Sequence, residues 1–168
     1  DGVEAKLALK DAFRLSLPTY IRLGKKGEPL VHTREPDFQI GKGITIREGT
    51  GVAFLSIGTM LPVAIECAER LEGQEISAKV VSLHTVKPLD TELLQDLFTH
   101  FPVIVVLEEH GIAGGAGSAI LEWGNQNRVE LNKLYCFGGP DRFLTACGNQ
   151  NEARQEIGLT AENITDRK

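Results

Sequence analysis

Apolar segments of two kinds alternate along the chain from residue 51 onward, and this alternation restricts the possible folds more than any other feature. AKVVSLHTV (78–86) and VIVVLEE (103–109) are short and rich in β-branched residues, as strands are. The segment from 60 to 73 instead repeats its apolar residues at helical spacing. Strands that alternate with helices predict an α/β fold in which helices cover a mainly parallel sheet.

Boundary residues support this assignment. Pro62 suits the first turn of a helix and Gly73 suits its end. Asp90 is expected to cap the next helix, DTELLQDLFTHF (90–101). The remaining elements are predicted as a helix over 117–127, a last strand over 133–138, and terminal helical pieces at 151–158 and 161–168.

Two short strands precede the regular alternation. ITIREG (44–49) and GVAFLSIG (51–58) meet at a Gly-Thr-Gly turn, which predicts a hairpin. The hairpin would add one antiparallel edge strand to the sheet. Before it, the sequence predicts a helix to about Leu15, a strand TYIRL (19–23) after Pro18, and a connecting segment without sustained periodicity. The chain opens inside an amphipathic pattern, so we expect it to be part of a longer protein.

Composition excludes several classes of function. The 168 residues carry a net charge of -5, which argues against an extended nucleic-acid surface. No apolar run approaches the roughly 20 residues that span a bilayer, so no membrane association is expected. Three cysteines, Cys67, Cys136 and Cys147, are widely spaced and odd in number. They predict structural thiols and a reducing, cytoplasmic setting rather than disulfides or a metal site.

The run EEHGIAGGAGSAI (108–120) places a glycine loop between a strand and a helix, where α/β proteins often bind ligands. It is neither a P-loop, because no Gly-Lys-Ser/Thr follows, nor the dinucleotide fingerprint, because the glycines are spaced differently. The glycines favour a tight turn and close packing of helix against sheet. Anion binding at the helix N-terminus and a subunit contact that needs small residues stay open as alternatives.

Two histidines, His110 in this loop and His84 after an earlier strand, give weak functional signals. His110 could act as a general base oriented by Glu109, but the sequence places no serine or cysteine nucleophile to complete a triad. A surface or interface role is favoured for His110, and a hydrogen-bonded core or loop role for His84. No spacing of His, Cys, Asp or Glu indicates a metal site.

Four motifs occur together and in order: PTYIRLGKKGEP, SIGTMLPVAIECAERL, VVSLHTVKPLD and VIVVLEEHGIAGGAGSAI. They resemble the C-terminal section of transketolase and of related thiamine-diphosphate enzymes, including 1-deoxyxylulose-5-phosphate synthase. The resemblance covers essentially the whole chain. It implies the end of a pyrimidine-binding domain (1–25, a helix and a strand), a linker (26–43) and a C-terminal domain (44–168). That domain is a three-layer α/β fold whose mainly parallel five-stranded sheet has one antiparallel edge strand.

The resemblance also implies a function for the intact enzyme, which would transfer two-carbon ketol units between sugar phosphates. This chain lacks the family's GDG…N motif for Mg²⁺ and diphosphate, and the glutamate that activates thiamine diphosphate. We therefore expect no catalytic, cofactor-binding or metal-binding residues here, and no activity from the chain alone. Its expected partners are a second copy of itself, the N-terminal portion of the enzyme, or both.

One substrate contact is implied by the resemblance. Family members place a basic residue after the last pyrimidine-domain strand, where it contacts the sugar phosphate, and the matching position is Lys25, with Arg22 nearby. His110, Gly114, Gly115 and Gly117 are expected at or near the subunit contact. A deoxyxylulose phosphate synthase fragment and a stand-alone anion-binding regulatory module stay open as alternatives.

Overall fold

The computed structural model describes residues 1–24, 27–145 and 148–166. In these ranges one five-stranded sheet is surrounded by α-helices. The strands are β1 (Ile44–Arg47), β2 (Val52–Ser56), β3 (Ala78–Ser82), β4 (Val103–Gly111) and β5 (Leu134–Gly139). The helices are α1 (Gly2–Leu15), α2 (Leu61–Glu72), α3 (Thr91–His100), α4 (Ala116–Gln126), α5 (Gln150–Glu156) and α6 (Ala161–Thr165).

The strands lie in the order β1-β3-β2-β4-β5. β3, β2, β4 and β5 are parallel to their neighbours, whereas β1 runs antiparallel to β3. In the central register Phe54 of β2 lies beside Val80 of β3 and Val105 of β4. The predicted fold class, a mainly parallel five-stranded sheet with one antiparallel edge strand, is confirmed.

Alternate residues of each strand enter two separate apolar cores, as the period of a strand requires. Phe54 and Val105 pack with α2 and α6 on one face of the sheet. Leu55 and Val106 pack with α3 and α4 on the other face. The sheet is therefore covered on both sides, and this explains the continuous apolar character of β2 and β4.

Helix boundaries follow the residues that predicted them. The Asp90 side chain accepts a hydrogen bond from the Leu93 N–H and caps α3, as expected. Pro62 lies in the first turn of α2, and Gly73 follows its last residue. Within the described part of the chain, every helix is too short or too polar to cross a membrane.

The predicted hairpin between β1 and β2 is wrong. β1 pairs with β3, with Ile44 opposite Ser82, because both edges of β2 are already occupied by β3 and β4. Gly49 does not mark a hairpin turn but a close approach of two backbones. A Cβ at Gly49 would lie 2.2 Å from the carbonyl carbon of Ala78.

The strand predicted at 19–23 is also wrong. These residues have no regular secondary structure, and Tyr20 and Leu23 are 88% and 64% exposed. A strand depends on hydrogen bonds to a neighbouring strand, and β-branched or aromatic composition alone does not supply them. The segment therefore follows α1 as a largely exposed, irregular stretch of chain.

Candidate functional site at the carboxyl edge of the sheet

The glycine loop lies where the sequence predicted, between the carboxyl end of β4 and the start of α4. Gly114 has a φ of +78°, a conformation that favours glycine in this turn. α4 begins directly after Gly115, whose lack of a side chain leaves the helix without a conventional side-chain cap. The first N–H groups of α4 therefore need another acceptor.

Glu108 supplies that acceptor from the adjacent strand. Its side chain is completely buried, and its carboxylate accepts hydrogen bonds from the N–H groups of Ala116, at 2.7 Å, and Gly117, at 3.2 Å. A carboxylate in this position is stabilised by the backbone donors and by the positive end of the helix dipole. The anion-binding position at this helix N-terminus is thus filled by the protein's own side chain.

Two of the glycines make this arrangement possible. A Cβ at Gly115 would lie 2.1 Å from Oε2 of Glu108, and a Cβ at Gly117 would lie 2.6 Å from Sγ of Cys136. Both glycines are buried, whereas Gly114 is exposed. Close packing of α4 against β4 and β5 therefore accounts for Gly115 and Gly117. A role for the loop in a subunit contact stays a prediction.

His110 lies at the rim of the loop with its side chain 30% exposed. Its Nδ1 lies 3.0 Å from the carbonyl oxygen of Gly111, to which it can donate, and its Nε2 lies 3.4 Å from Oε2 of Glu108. The carboxylate beside the imidazole is therefore that of Glu108, and the suggested orientation of His110 by Glu109 is wrong. Successive residues of a strand point to opposite faces, which separates Glu109 from Glu108.

Glu109 is the centre of a second polar cluster that the sequence did not reveal. Its carboxylate accepts hydrogen bonds from Thr59 Oγ1 at 2.7 Å, Arg154 Nε at 2.8 Å and Gln150 Nε2 at 2.8 Å. Arg154 also donates to the carbonyl oxygen of Thr59 at 2.9 Å. Burial raises the pKa of Glu109, but the hydrogen bonds and the charge of Arg154 outweigh it and leave that pKa below its ordinary value.

The Glu109 cluster ties α5 to the end of β4. Arg154 is buried, and its guanidinium donates hydrogen bonds to Glu109 and to the backbone of Thr59. This ion pair is partly buried, with the Glu109 side chain 33% exposed, and the additional hydrogen bonds hold its geometry. We therefore assign it a structural role.

The structure also shows the surroundings of His84 and of two of the three cysteines. His84 stacks on Phe38, with ring centroids 4.1 Å apart, and its Nδ1 lies 2.8 Å from Thr85 Oγ1, so it is the hydrogen-bonded histidine that was expected. Cys67 is buried, and burial raises the pKa of its thiol to about 12. Cys136 is half-buried, and burial raises its pKa as well. Both are free thiols.

Of the two residues predicted to contact the substrate, the structure describes Arg22. Arg22 is exposed on the irregular segment after α1. Lys25 and Cys147 lie outside the described residues. Within the described ranges no group of three His, Cys, Asp or Glu side chains could hold a metal ion.

The residues present do not fit a thiamine diphosphate site. A diphosphate needs free N–H donors or cations, and the helix N-terminus at this sheet edge already holds the Glu108 carboxylate. A second anion there would meet a buried negative charge at short range.

Comparison with known proteins agrees with the motifs. Residues 41–164 match the family described as "Transketolase, C-terminal domain". The 1-deoxy-D-xylulose-5-phosphate synthase of Magnetococcus marinus is 40% identical over 98% of this chain, and that of Vibrio campbellii is 41% identical over 98%. The chain spans 26% of the length of each of these relatives.

Solved structures give the same fold. A split-gene transketolase, described as an inactive beta4 tetramer, superposes with a TM-score of 0.86 and 32% identity, covering 98% of this chain and 52% of that one. A transketolase from Pichia stipitis is similar in fold alone, with a TM-score of 0.54 and 23% identity over 76% of this chain and 17% of that chain. The chain belongs to the transketolase C-terminal domain family.

Proposed function

We propose that this chain is the C-terminal, assembly-forming portion of a cytoplasmic transketolase-like enzyme that transfers two-carbon ketol units between sugar phosphates. By itself the chain is inactive. The observation that carries this proposal is the position of the Glu108 carboxylate at the N-terminus of α4. It accepts from the helix N–H groups that the sequence analysis considered as a phosphate site. Thiamine diphosphate and Mg²⁺ then belong to the part of the enzyme outside this chain.

An exposed apolar surface supports the assembly role. Large apolar side chains along α1 and in the segments that follow it are exposed to solvent, and exposed apolar surface can mark protein contacts. They are Leu9, Phe13, Leu15, Leu17, Tyr20, Leu23 and Leu30. We propose that the N-terminal portion of the enzyme and a second copy of the chain cover this surface. Lys25 and Arg22 would then approach the sugar phosphate from the same segment.

A second candidate has its own support. The relatives at 36–41% identity over nearly the whole chain carry the name 1-deoxy-D-xylulose-5-phosphate synthase. The intact enzyme would in that case join pyruvate to glyceraldehyde 3-phosphate instead of transferring a ketol unit. Both candidates assign the same structural role to this chain.

A domain replacement tests the assembly role. The corresponding C-terminal quarter of the Magnetococcus marinus relative would be replaced by this chain, and the hybrid assayed for its original reaction. We expect a folded, active hybrid, and we expect Phe13→Ser to weaken its assembly by sedimentation while Lys10→Ser on the same helix does not. A folded but inactive wild-type hybrid would show that this chain supplies more than assembly.

Calorimetry of the chain alone provides the complementary test. Thiamine diphosphate with Mg²⁺, followed by a pentose phosphate, should produce no binding heat. Heat that disappears in Gly115→Ala would favour the anion-binding alternative over the proposed function. The two candidate reactions are separated by assaying the intact enzyme with ketose and aldose phosphates, or with pyruvate and glyceraldehyde 3-phosphate.

A further inference from the structure

The Glu109 cluster extends beyond β4 and α5 to the irregular segment that follows α1. Residues 17–24 and 27–43 of this segment contain neither a helix nor a strand, so contacts with other parts of the molecule must fix its course. Gly24 and Glu28 make such contacts with the cluster. The segment is thereby held at the carboxyl edge of the sheet, the edge at which α/β proteins usually bind ligands.

The first contact is the packing of Gly24 on Thr59. A Cβ at Gly24 would lie 3.1 Å from Cγ2 of Thr59 and 2.9 Å from Oε1 of Glu28. Gly24 is not among the residues of positive φ, so the close approach of the chain, and not an unusual backbone conformation, favours a glycine here. The segment therefore lies directly on the surface of Thr59.

Thr59 is a firm support because it is held at two points. Its hydroxyl donates to Glu109 at 2.7 Å, and its carbonyl oxygen accepts from Nη2 of Arg154 at 2.9 Å. Arg154 also donates to Glu109 at 2.8 Å, so the three residues form a closed set of hydrogen bonds. The position of Thr59, and with it the position of Gly24, is fixed by this set.

The second contact is made by Gln150 of α5. Its Nε2 lies 2.8 and 3.1 Å from the two carboxylate oxygens of Glu109, and 3.5 Å from Oε1 of Glu28. An amide NH₂ group has two hydrogens, so Gln150 can donate to Glu109 and direct the second, longer contact at Glu28. A neutral donor thus lies between two carboxylates and offsets their repulsion.

We propose that the Glu109 cluster is a clamp that places the segment of Arg22 for phosphate binding, with Thr59 and Gln150 as positioning residues. The inference rests on the proposed function, in which Arg22 and Lys25 approach the sugar phosphate. Arg22 precedes Gly24 by two residues, is exposed, and has no ion-pair partner within the described part of the chain. Its guanidinium is therefore available to a phosphate.

The clamp acts through position and not through direct contact. The carboxylates of Glu28 and Glu109 would repel a phosphate, so the cluster itself is not the binding site. A segment already held at Gly24 and Glu28 loses less conformational freedom when a ligand binds to it, and this improves affinity. The C-terminal domain would in this way influence substrate binding without touching the substrate.

Kinetics of the hybrid enzyme described above test this role. In Gln150→Ala, the KM for glyceraldehyde 3-phosphate should rise about three- to tenfold, because the segment is held less firmly. The KM for pyruvate, and kcat/KM with unphosphorylated glyceraldehyde, should change little, since neither substrate carries a phosphate. Gln155→Ala, at an exposed position of the same helix, is the matched control and should behave as the wild type.

Two results would overturn the clamp. One is an unchanged KM for glyceraldehyde 3-phosphate in Gln150→Ala, and the other is an equal loss with the phosphorylated and unphosphorylated acceptors, which a general structural defect would cause. Lys25→Ala and Arg22→Ala examine the proposed function separately. If either raises this KM while Gln150→Ala does not, only the clamp is wrong. If neither does, the phosphate contact is wrong and the clamp has no role in binding.

NMR relaxation of the chain alone tests the clamp without an active hybrid. In the wild type we expect amide order parameters of Gly24 and Glu28 near about 0.85, as in rigid backbone, and a fall toward about 0.6 in Gln150→Ala. Gln155→Ala should keep the wild-type values. Equal order parameters in the wild type and Gln150→Ala would show that the cluster does not hold the segment.

Discussion

Helices α1 and α2 are similar in length but attach to the molecule in opposite ways. α2 buries six side chains, all of them apolar or a thiol, against the sheet: Leu61, Val63, Ala64, Cys67, Ala68 and Leu71. α1 buries Glu4 and leaves Leu9 and Phe13 exposed. One helix is therefore fixed by apolar burial, which is insensitive to pH, and the other by a small set of polar contacts.

This difference separates two tasks along one chain. The apolar side of α2 is buried in the core, so α2 is an integral part of the domain. The apolar residues of α1 remain available, and its attachment rests on hydrogen bonds of Asp1 with the backbone of Val31 and His32 and of Glu4 with Ser82. α1 is thus placed by the domain, while its exposed apolar residues remain free for the protein contact proposed above.

The prediction with the largest expected effect compares how much α2 and α1 contribute to the free energy of unfolding. Leu61→Ala removes a fully buried side chain, and we expect it to lower the free energy of unfolding by about 2–5 kcal/mol. Phe13→Ala on the exposed side of α1 should change it by less than about 0.5 kcal/mol in the isolated chain. Urea denaturation followed by circular dichroism measures both. Comparable losses of stability for the two variants would show that Phe13 of α1 contributes to the folded core as Leu61 does.

A second prediction compares the two buried carboxylates. Glu108 accepts from two backbone N–H groups, whereas Glu4 accepts from one hydroxyl and faces His32. Glu108→Gln cannot keep both acceptors without directing an amide N–H at a backbone donor, so we expect a loss of about 1–3 kcal/mol. Glu4→Gln should cost less, because the remaining amide oxygen can still accept from the Ser82 hydroxyl. Equal losses in denaturant titrations would show that the two carboxylates stabilise the fold to the same extent.

Much of the fold could be predicted because the relevant signals are local. The alternation of strands and helices, the capping of α3 by Asp90 and the edge position of β1 all follow from short stretches of sequence. The pairing partner of β1 did not follow, because a strand's neighbour is decided by which edges remain free after the whole sheet forms. The strand predicted at 19–23 failed for a related reason, since composition cannot supply a hydrogen-bonding partner.

The candidate site was less predictable. The glycine loop and its two glutamates were evident from the sequence. That Glu108 and Glu109 belong to two separate clusters was not. Glu109 meets Arg154 across 45 residues, and Arg154 looked like an ordinary position of an amphipathic helix. Glu108 completes the N-terminus of α4 only because Gly115 and Gly117 allow a close approach. Such contacts depend on distances of a few ångström that residue spacing does not encode.

The smallest expected effect concerns His84, which follows β3. Burial lowers its pKa from 6.5, so the unfolded chain binds a proton more readily than the folded one. The stability that this group contributes is present above pH 6.5 and is lost as pH falls through that value toward its folded pKa.

A pH series on a His84 variant checks this prediction. His84→Phe keeps an aromatic ring against Phe38 and removes the titration, so it should flatten the loss of stability below pH 6.5 and leave the alkaline side unchanged. Thermal denaturation from pH 5 to 9 measures both the acid and the alkaline side in the same samples. An unchanged loss of stability below pH 6.5 in His84→Phe would show that another group causes that loss, and that the burial of His84 does not.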